Sequence, residues 1–247
     1  MDSQTFSDPP QLVLLPGLGA DADLFYPQIE HFGDRLWVYT GLSPSQLEGQ
    51  SPSMDWAAQH CANIISTQMS PGCPYVLGGM SFGGSLAMQI ASLLEPKPEA
   101  IVLISSNRTA ETIPTSFRVN RFVGSLLPSS LIRMGLRTLS GVFSKREQLD
   151  EANRERLTAM ANRAEIPSLL WGAAAVAKWK FGESDAKRLT IPLHQIHGRL
   201  DWVIPRHDEH VTEEIPDGRH LITWTHARQV NDFLEQAIQS VLPESVC

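Results

Sequence analysis

The sequence predicts an α/β fold: a mostly parallel central sheet flanked by helices, carrying an inserted all-helical cap. Three observations carry that prediction. Apolar runs of strand length recur along the chain and are continuous rather than alternating, as strands buried on both faces must be. Helical patterns follow several of these runs, the rhythm of a parallel sheet with crossover helices. Between Arg108 and Lys187 the rhythm stops, and only helical patterns remain. With 247 residues, 42% of them hydrophobic and 19% charged, the chain can bury a core of that size.

The elements follow in order. Gln11–Leu15 (QLVLL) reads as a strand ending at Pro16-Gly17, and Leu36–Tyr39 as a second. Met54–Met69 has a helical stripe of Trp56, Ala57, Cys61, Ile64 and Ile65, with Ser53 placed to cap it. Tyr75–Leu77 is a third strand, and Phe82–Glu95 a helix turning Leu86, Ile90, Leu93 and Leu94 inward. Ala100–Ile104 (AIVLI) and Leu193–Ile196 are the fourth and fifth strands, Thr212–Ile215 a less regular sixth, and Val230–Val241 a closing amphipathic helix. The insertion reads as four helices, at Ser116–Leu126, Ser129–Leu139, Lys145–Ala164 and Ser168–Phe181. The expected division is a core of residues 1–108 and 187–247 with a helical cap over 109–186. An insertion at one end of a parallel sheet is placed to cover the ligand crevice beyond the strands' carboxyl ends.

Composition narrows the function classes. Twenty Lys and Arg against 27 Asp and Glu give a net charge of −7, which disfavours a nucleic-acid surface and fits a small-molecule substrate. No run reaches the length of a spanning helix, so membrane insertion is not expected. Residues 1–10 hold two acids and no basic residue, unlike a secretory signal. Cys61, Cys73 and Cys247 have no metal-ligand spacing and leave one unpaired, so thiols in a cytoplasmic setting are the expectation.

The chemistry concentrates after the third strand, in Gly78-Gly79-Met80-Ser81-Phe82-Gly83-Gly84. Gly79-x-Ser81-x-Gly83 is the spacing of a nucleophile elbow, a sharp strand-to-helix turn that holds a serine in a strained conformation. Side chains two residues either side would collide there. As a bare string the pattern arises by chance in roughly one chain in ten of this length; a strand before it and a helix after it cut that chance sharply. The first strand runs into Pro16-Gly17-Leu18-Gly19, a loop that can supply one oxyanion amide, from Leu18, with Phe82 supplying the other. Asp201, in His197-Gly198-Arg199-Leu200-Asp201, lies just past a strand end, where a carboxylate can orient an imidazole. His220, after the turn Pro216-Asp217-Gly218, is the candidate base, and His226 the rival. His194 and His197 fall on opposite faces of a strand, poor geometry for a metal, and neither a metal nor another cofactor is expected.

LLPGLGA, GGMSFGG, HGRLDWVIP and DGRHLI, in that order, resemble the α/β-hydrolase superfamily, in particular serine esterase- and lipase-like members with a helical cap. The resemblance covers nearly the whole chain and is weakest over residues 109–186. It implies Ser81 as nucleophile, Asp201 as acid, His220 as base, and Leu18 and Phe82 as oxyanion donors, the roles reached from the residues alone. Pro16-Gly17 stands where many members have His-Gly. The 19 residues from Asp201 to His220 leave little room for the usual helix between the last two strands. A serine at position 81 argues against haloalkane dehalogenases and epoxide hydrolases, which need a carboxylate nucleophile.

The expected activity is hydrolysis of an ester of a small or medium apolar acid. Thioester and carbon–carbon bond hydrolysis share the constellation. So do a lyase, which would place a lysine such as Lys178 or Lys180 over the serine, and a ligand receptor. Phe117, Phe122, Leu126, Leu127, Leu131, Met134, Trp171 and Trp179 are the apolar residues that the insertion offers to its own core or to a pocket.

Overall fold

The computed structural model describes residues 11–69, 73–113, 128–205 and 211–241. Six strands form one wholly parallel sheet: β1 (Leu12–Leu15), β2 (Leu36–Val38), β3 (Val76–Met80), β4 (Ala100–Ile104), β5 (Leu193–Gly198) and β6 (Glu213–Ile215), in the spatial order β2-β1-β3-β4-β5-β6. All six expected strands are present. The order reverses direction at β1 and β3, so their carboxyl ends diverge into a crevice. Leu14 pairs with Gly78, Gly78 with Val102, and Val102 with His194, one straight row across the four central strands.

Every residue of β1, β3 and β4 is buried, which explains their unbroken apolar runs: side chains alternate between two covered faces. On one face Val13, Leu15, Leu77, Ile101 and Leu103 pack against α3 (Met54–Gln68) and α4 (Phe82–Ala91). On the other, Leu12, Leu14, Val76, Met80, Val102 and Ile104 pack against Phe25, Phe32 and the closing helix α10 (Ala227–Val241), preceded by the single turn α9 (Ile222–Thr225). Two short helices, α1 (Tyr26–Phe32) and α2 (Pro44–Leu47), lie in connections that the sequence leaves without a helical pattern.

The helices match their reading with local corrections. Ser53 caps α3, accepting from the Trp56 amide at 3.3 Å. In the segment read as Phe82–Glu95 the helix ends at Ala91, and Leu93 is exposed rather than inward. Between β4 and β5 the described residues form helices and no strand: α5 (Ser129–Glu147), α6 (Glu151–Arg163), α7 (Ile166–Ala177) and α8 (Glu183–Arg188). The stretch read as one helix over Lys145–Ala164 is broken. Gln148 adopts the left-handed conformation that closes α5, and Asp150 accepts from the Asn153 amide at 2.8 Å to start α6. The helix expected at Ser116–Leu126 lies outside the described residues, as do Phe117, Phe122, Leu126 and Leu127. Leu131 and Met134 are exposed, whereas Trp171 and Trp179 are buried.

The cysteine reading needs correction as well: Cys61 is a buried thiol, but Cys73 is disulfide-bonded. Pairing depends on distance in the fold, which sequence spacing does not report. No helix among the described residues is long and apolar enough to cross a membrane.

The tightest packing constraint lies where β1 passes β3 and α4. A Cβ on Gly83 would stand 2.0 Å from the Leu15 carbonyl oxygen and 2.5 Å from that of Pro16, both main-chain atoms that cannot swing aside. Gly83→Ala should therefore destabilise the fold by at least about 2 kcal/mol, measured by chemical denaturation. Gly135→Ala, where a Cβ meets nothing within 4 Å, should leave stability unchanged or raise it.

Candidate active site

Ser81 sits between β3 and α4 with φ 56° and ψ −122°, a conformation that costs a non-glycine residue about 1–3 kcal/mol. The surroundings hold it there. Its amide donates to the Ile104 carbonyl at 3.1 Å, and the Ser106 hydroxyl donates to its carbonyl at 2.6 Å. Gly79 and Gly83 make the turn possible: a Cβ on Gly79 would lie 2.5 Å from the Gly83 carbonyl carbon and 2.6 Å from the Leu15 carbonyl oxygen. The collision expected two residues either side of the serine is thus a contact with main chain.

Asp201 and His220 meet across the ends of β5 and β6. His220 Nδ1 donates to Asp201 Oδ2 at 2.8 Å, and both side chains are almost wholly buried, at 7% and 0% exposure. Asp201 Oδ1 accepts from the amides of Val203 and Ile204, each at 2.9 Å. Burial pushes the Asp201 carboxyl up. Electrostatic attraction to the neighbouring His220, hydrogen bonds from His197 and His220, and the Ile204 amide outweigh that, holding the group well below the usual carboxylate range. With Nδ1 donating to the acid, His220 Nε2 is left as the proton acceptor.

Ser81 and His220 line one cavity of about 580 Å³, together with Leu18 and Phe82. Among the described residues no hydrogen bond reaches Ser81 Oγ, and none uses the amides of Leu18 or Phe82. A catalytic hydrogen bond that tightens only when substrate enters is ordinary in an unliganded site. The insertion contributes Leu136, Leu139, Phe143, Leu157, Met160 and Val176 to the wall. No Asp, Glu, Lys or Arg side chain is among the described lining residues. Trp171 and Trp179 turn elsewhere, donating to the Gln50 carbonyl and to Gln89. Lys178, the residue after α7, is not among the described lining residues, and Lys180 lines a separate depression with Asp55 and Arg188.

Residues 12–233 match the Alpha/beta hydrolase family. The chain belongs to that family. Solved structures with the same fold include an esterase from Exiguobacterium antarcticum, 15% identical, covering 95% of this chain and 93% of that one with a TM-score of 0.76. A thermophilic esterase from Thermogutta terrifontis is 17% identical, covering 97% and 92%, with a TM-score of 0.74. An epoxide hydrolase from metagenomes of hot environments is 18% identical, covering 96% and 92%, with a TM-score of 0.61. At such identities the likeness is one of fold, and this alpha/beta hydrolase must be read from its own residues. No curated protein matches the chain significantly.

Four polar residues of the site escaped the sequence reading. His197, weighed only as a metal ligand, donates from Nε2 to the Ile204 carbonyl at 2.9 Å, with Asp201 Oδ2 3.4 Å away. Gln195 donates to the Ser106 carbonyl at 3.1 Å and reaches His197 Nδ1 at 3.4 Å. Ser106, Gln195 and His197 thereby connect the serine turn to the acid through buried polar contacts. Glu147, at the end of α5, accepts from Trp202 and from the Leu221 amide. His197 lies inside a quoted motif and could have been flagged; a glutamate in a helix carries no such signal.

His226 is engaged elsewhere, with Thr225 Oγ1 at 2.9 Å and Asp217 at 3.2 Å. His220→Asn should lower kcat by at least about 10³-fold, and His226→Asn by less than about threefold, in ester hydrolysis assays. Activity should also fall on acidification, because a protonated imidazole cannot accept the Ser81 proton. Asp201 is held ionised to well below the usual carboxylate range, and its contribution to stability, fully present above the unfolded carboxyl's pKa, is lost only as pH falls through its depressed folded value. A profile flat from about pH 5 to 8 would contradict a histidine base.

Proposed function

We propose that this alpha/beta hydrolase is a serine hydrolase that cleaves carboxylic esters of small or medium apolar acids. Ser81 is the nucleophile, His220 the base and Asp201 the orienting acid, with the Leu18 and Phe82 amides as oxyanion donors. Residues 1–108 and 187–247 form the core, and residues 109–186 act as a cap over the pocket. The observation that carries the reading is a strained serine sharing one cavity wall with an imidazole whose other nitrogen is held 2.8 Å from a buried carboxylate.

The steps follow from those positions. His220 Nε2 takes the proton of Ser81 Oγ as the oxygen attacks the acyl carbon. Negative charge grows on the carbonyl oxygen beside the first amide of α4 and the amide of the β1 loop. Each such donor is worth on the order of 3 kcal/mol in the transition state. The imidazolium returns its proton to the departing alcohol, leaving an acyl-enzyme on Ser81. Water, deprotonated by the same nitrogen, then releases the acid. Asp201 keeps the ring's tautomer and orientation throughout.

The cavity argues for the acyl class. Its described lining is apolar apart from Ser81, His220 and a few neutral groups such as Ser85 and Asn107, so a charged acyl chain would be desolvated without a partner. Thioesters and activated carbon–carbon bonds could use the same atoms. No lysine stands among the described residues over the serine, which favours hydrolysis over a lyase reaction.

p-Nitrophenyl esters of graded acyl length test the reading. Turnover should rise from acetate to a medium-chain optimum, fall for long chains, and drop to background in Ser81→Ala. Equal rates in wild type and Ser81→Ala would overturn it.

A further inference from the structure

Glu147 is 2% exposed, and among the described residues its carboxylate makes no hydrogen bond to the side chains of Ser81, Asp201 or His220. It stands at the last residue of α5, the helix that reaches the cavity from the insertion. One oxygen, Oε1, accepts from the Trp202 indole Nε1 at 2.6 Å; the other, Oε2, accepts from the Leu221 amide at 2.8 Å. Trp202 follows Asp201 in sequence, and Leu221 follows His220. A single side chain of the insertion therefore bonds to both loops that carry the acid and the base.

Stability alone does not account for an acid there. A negative charge at the carboxyl end of a helix opposes the helix dipole, and burying a carboxylate is unfavourable unless its oxygens are satisfied. The same helix adds further contacts to the same two loops. Phe143, one turn earlier, packs tilted on Trp202 at 4.8 Å between centroids and edge-on to His220 at 6.2 Å. The Arg146 guanidinium lies 4.4 Å over the Trp202 ring. Asp201 has its own loop amides to hold it. The side chain of His220, by contrast, has Asp201 as its hydrogen-bond partner, and the residue after it is tied to Glu147.

We propose that Glu147 is a positioning residue for this site: by bonding to Trp202 and Leu221 at once, it sets the acid loop against the base loop and makes their alignment depend on the docked insertion. The inference rests on the triad proposed above. Because Glu147 does not line the cavity among the described residues, its loss acts on the reacting geometry rather than on substrate binding.

The test combines kinetics with a signal that needs no turnover. Glu147→Leu should lower kcat by about 10- to 100-fold while KM stays within about threefold. In the proton NMR spectrum, the low-field Nδ1 proton of His220, assigned by its absence in His220→Asn, should broaden or vanish in Glu147→Leu at a temperature where circular dichroism shows the variant folded. Should Glu147→Leu not fold, Glu147→Gln and Trp202→Phe take its place, the second removing the indole donor while keeping an aromatic ring beside Phe143 and Arg146. Each should lower kcat, and the double variant should be no worse than the poorer single one, since both break the same link. An unchanged kcat with an intact low-field proton, or losses that multiply in the double variant, would overturn the proposal. If wild type turns over none of the esters, the function reading fails, and the NMR comparison alone still decides the role of Glu147.

Discussion

The Leu15 carbonyl oxygen occupies the space where two side chains would have to be, those of residues 79 and 83. That close approach lets β1 and β3 pair in register, Leu15 against Gly79, while the chain after β3 turns sharply into α4. The turn in turn forces Ser81 to positive φ at the start of a helix. The cavity and the Asp201–His220 pair are arranged around that fixed point. Were a side chain admitted at position 83, the strand pair and the serine would have to move together.

A strained serine is useful only if the groups around it are held as firmly. Here the holding is done by buried polar contacts that run beneath the site. Ser106 grips the serine's carbonyl, Gln195 bonds to the carbonyl of Ser106 and reaches His197, and His197 borders Asp201. Each member is buried, so each must find a partner, and the partners available are the other members. From above, α5 closes the arrangement through Phe143 and Glu147. Core and insertion thus share one site, with the apolar wall supplied mostly by the insertion and Ser81, Asp201 and His220 supplied by strand ends.

Much of this was legible in the sequence because it depends on local patterns. Continuous apolar runs marked the first four strands, and the glycine spacing around Ser81 marked the turn. The pairing of Asp201 with His220 was legible because each follows a strand-like run. What was not legible depends on distance in space. Gln195 reads as a polar interruption of β5, yet it bonds to the loop after β4. Nothing in the sequence marks Glu147, yet just before the break at Gln148 its side chain is buried. The same break split a stretch read as one helix, because a left-handed glutamine gives no warning that a glycine would. Leu131 and Met134 had the period of core residues but lie exposed, since helical spacing does not say which face another element covers.

The central claim is that Ser81 is an activated nucleophile. Fluorophosphonate labelling followed by intact-mass measurement and peptide mapping tests it most directly, because it needs no knowledge of the natural substrate. The account predicts one adduct per chain, mapped to Ser81, formed rapidly in wild type and slowly in His220→Asn. An adduct on another residue, or none in folded protein, would contradict it.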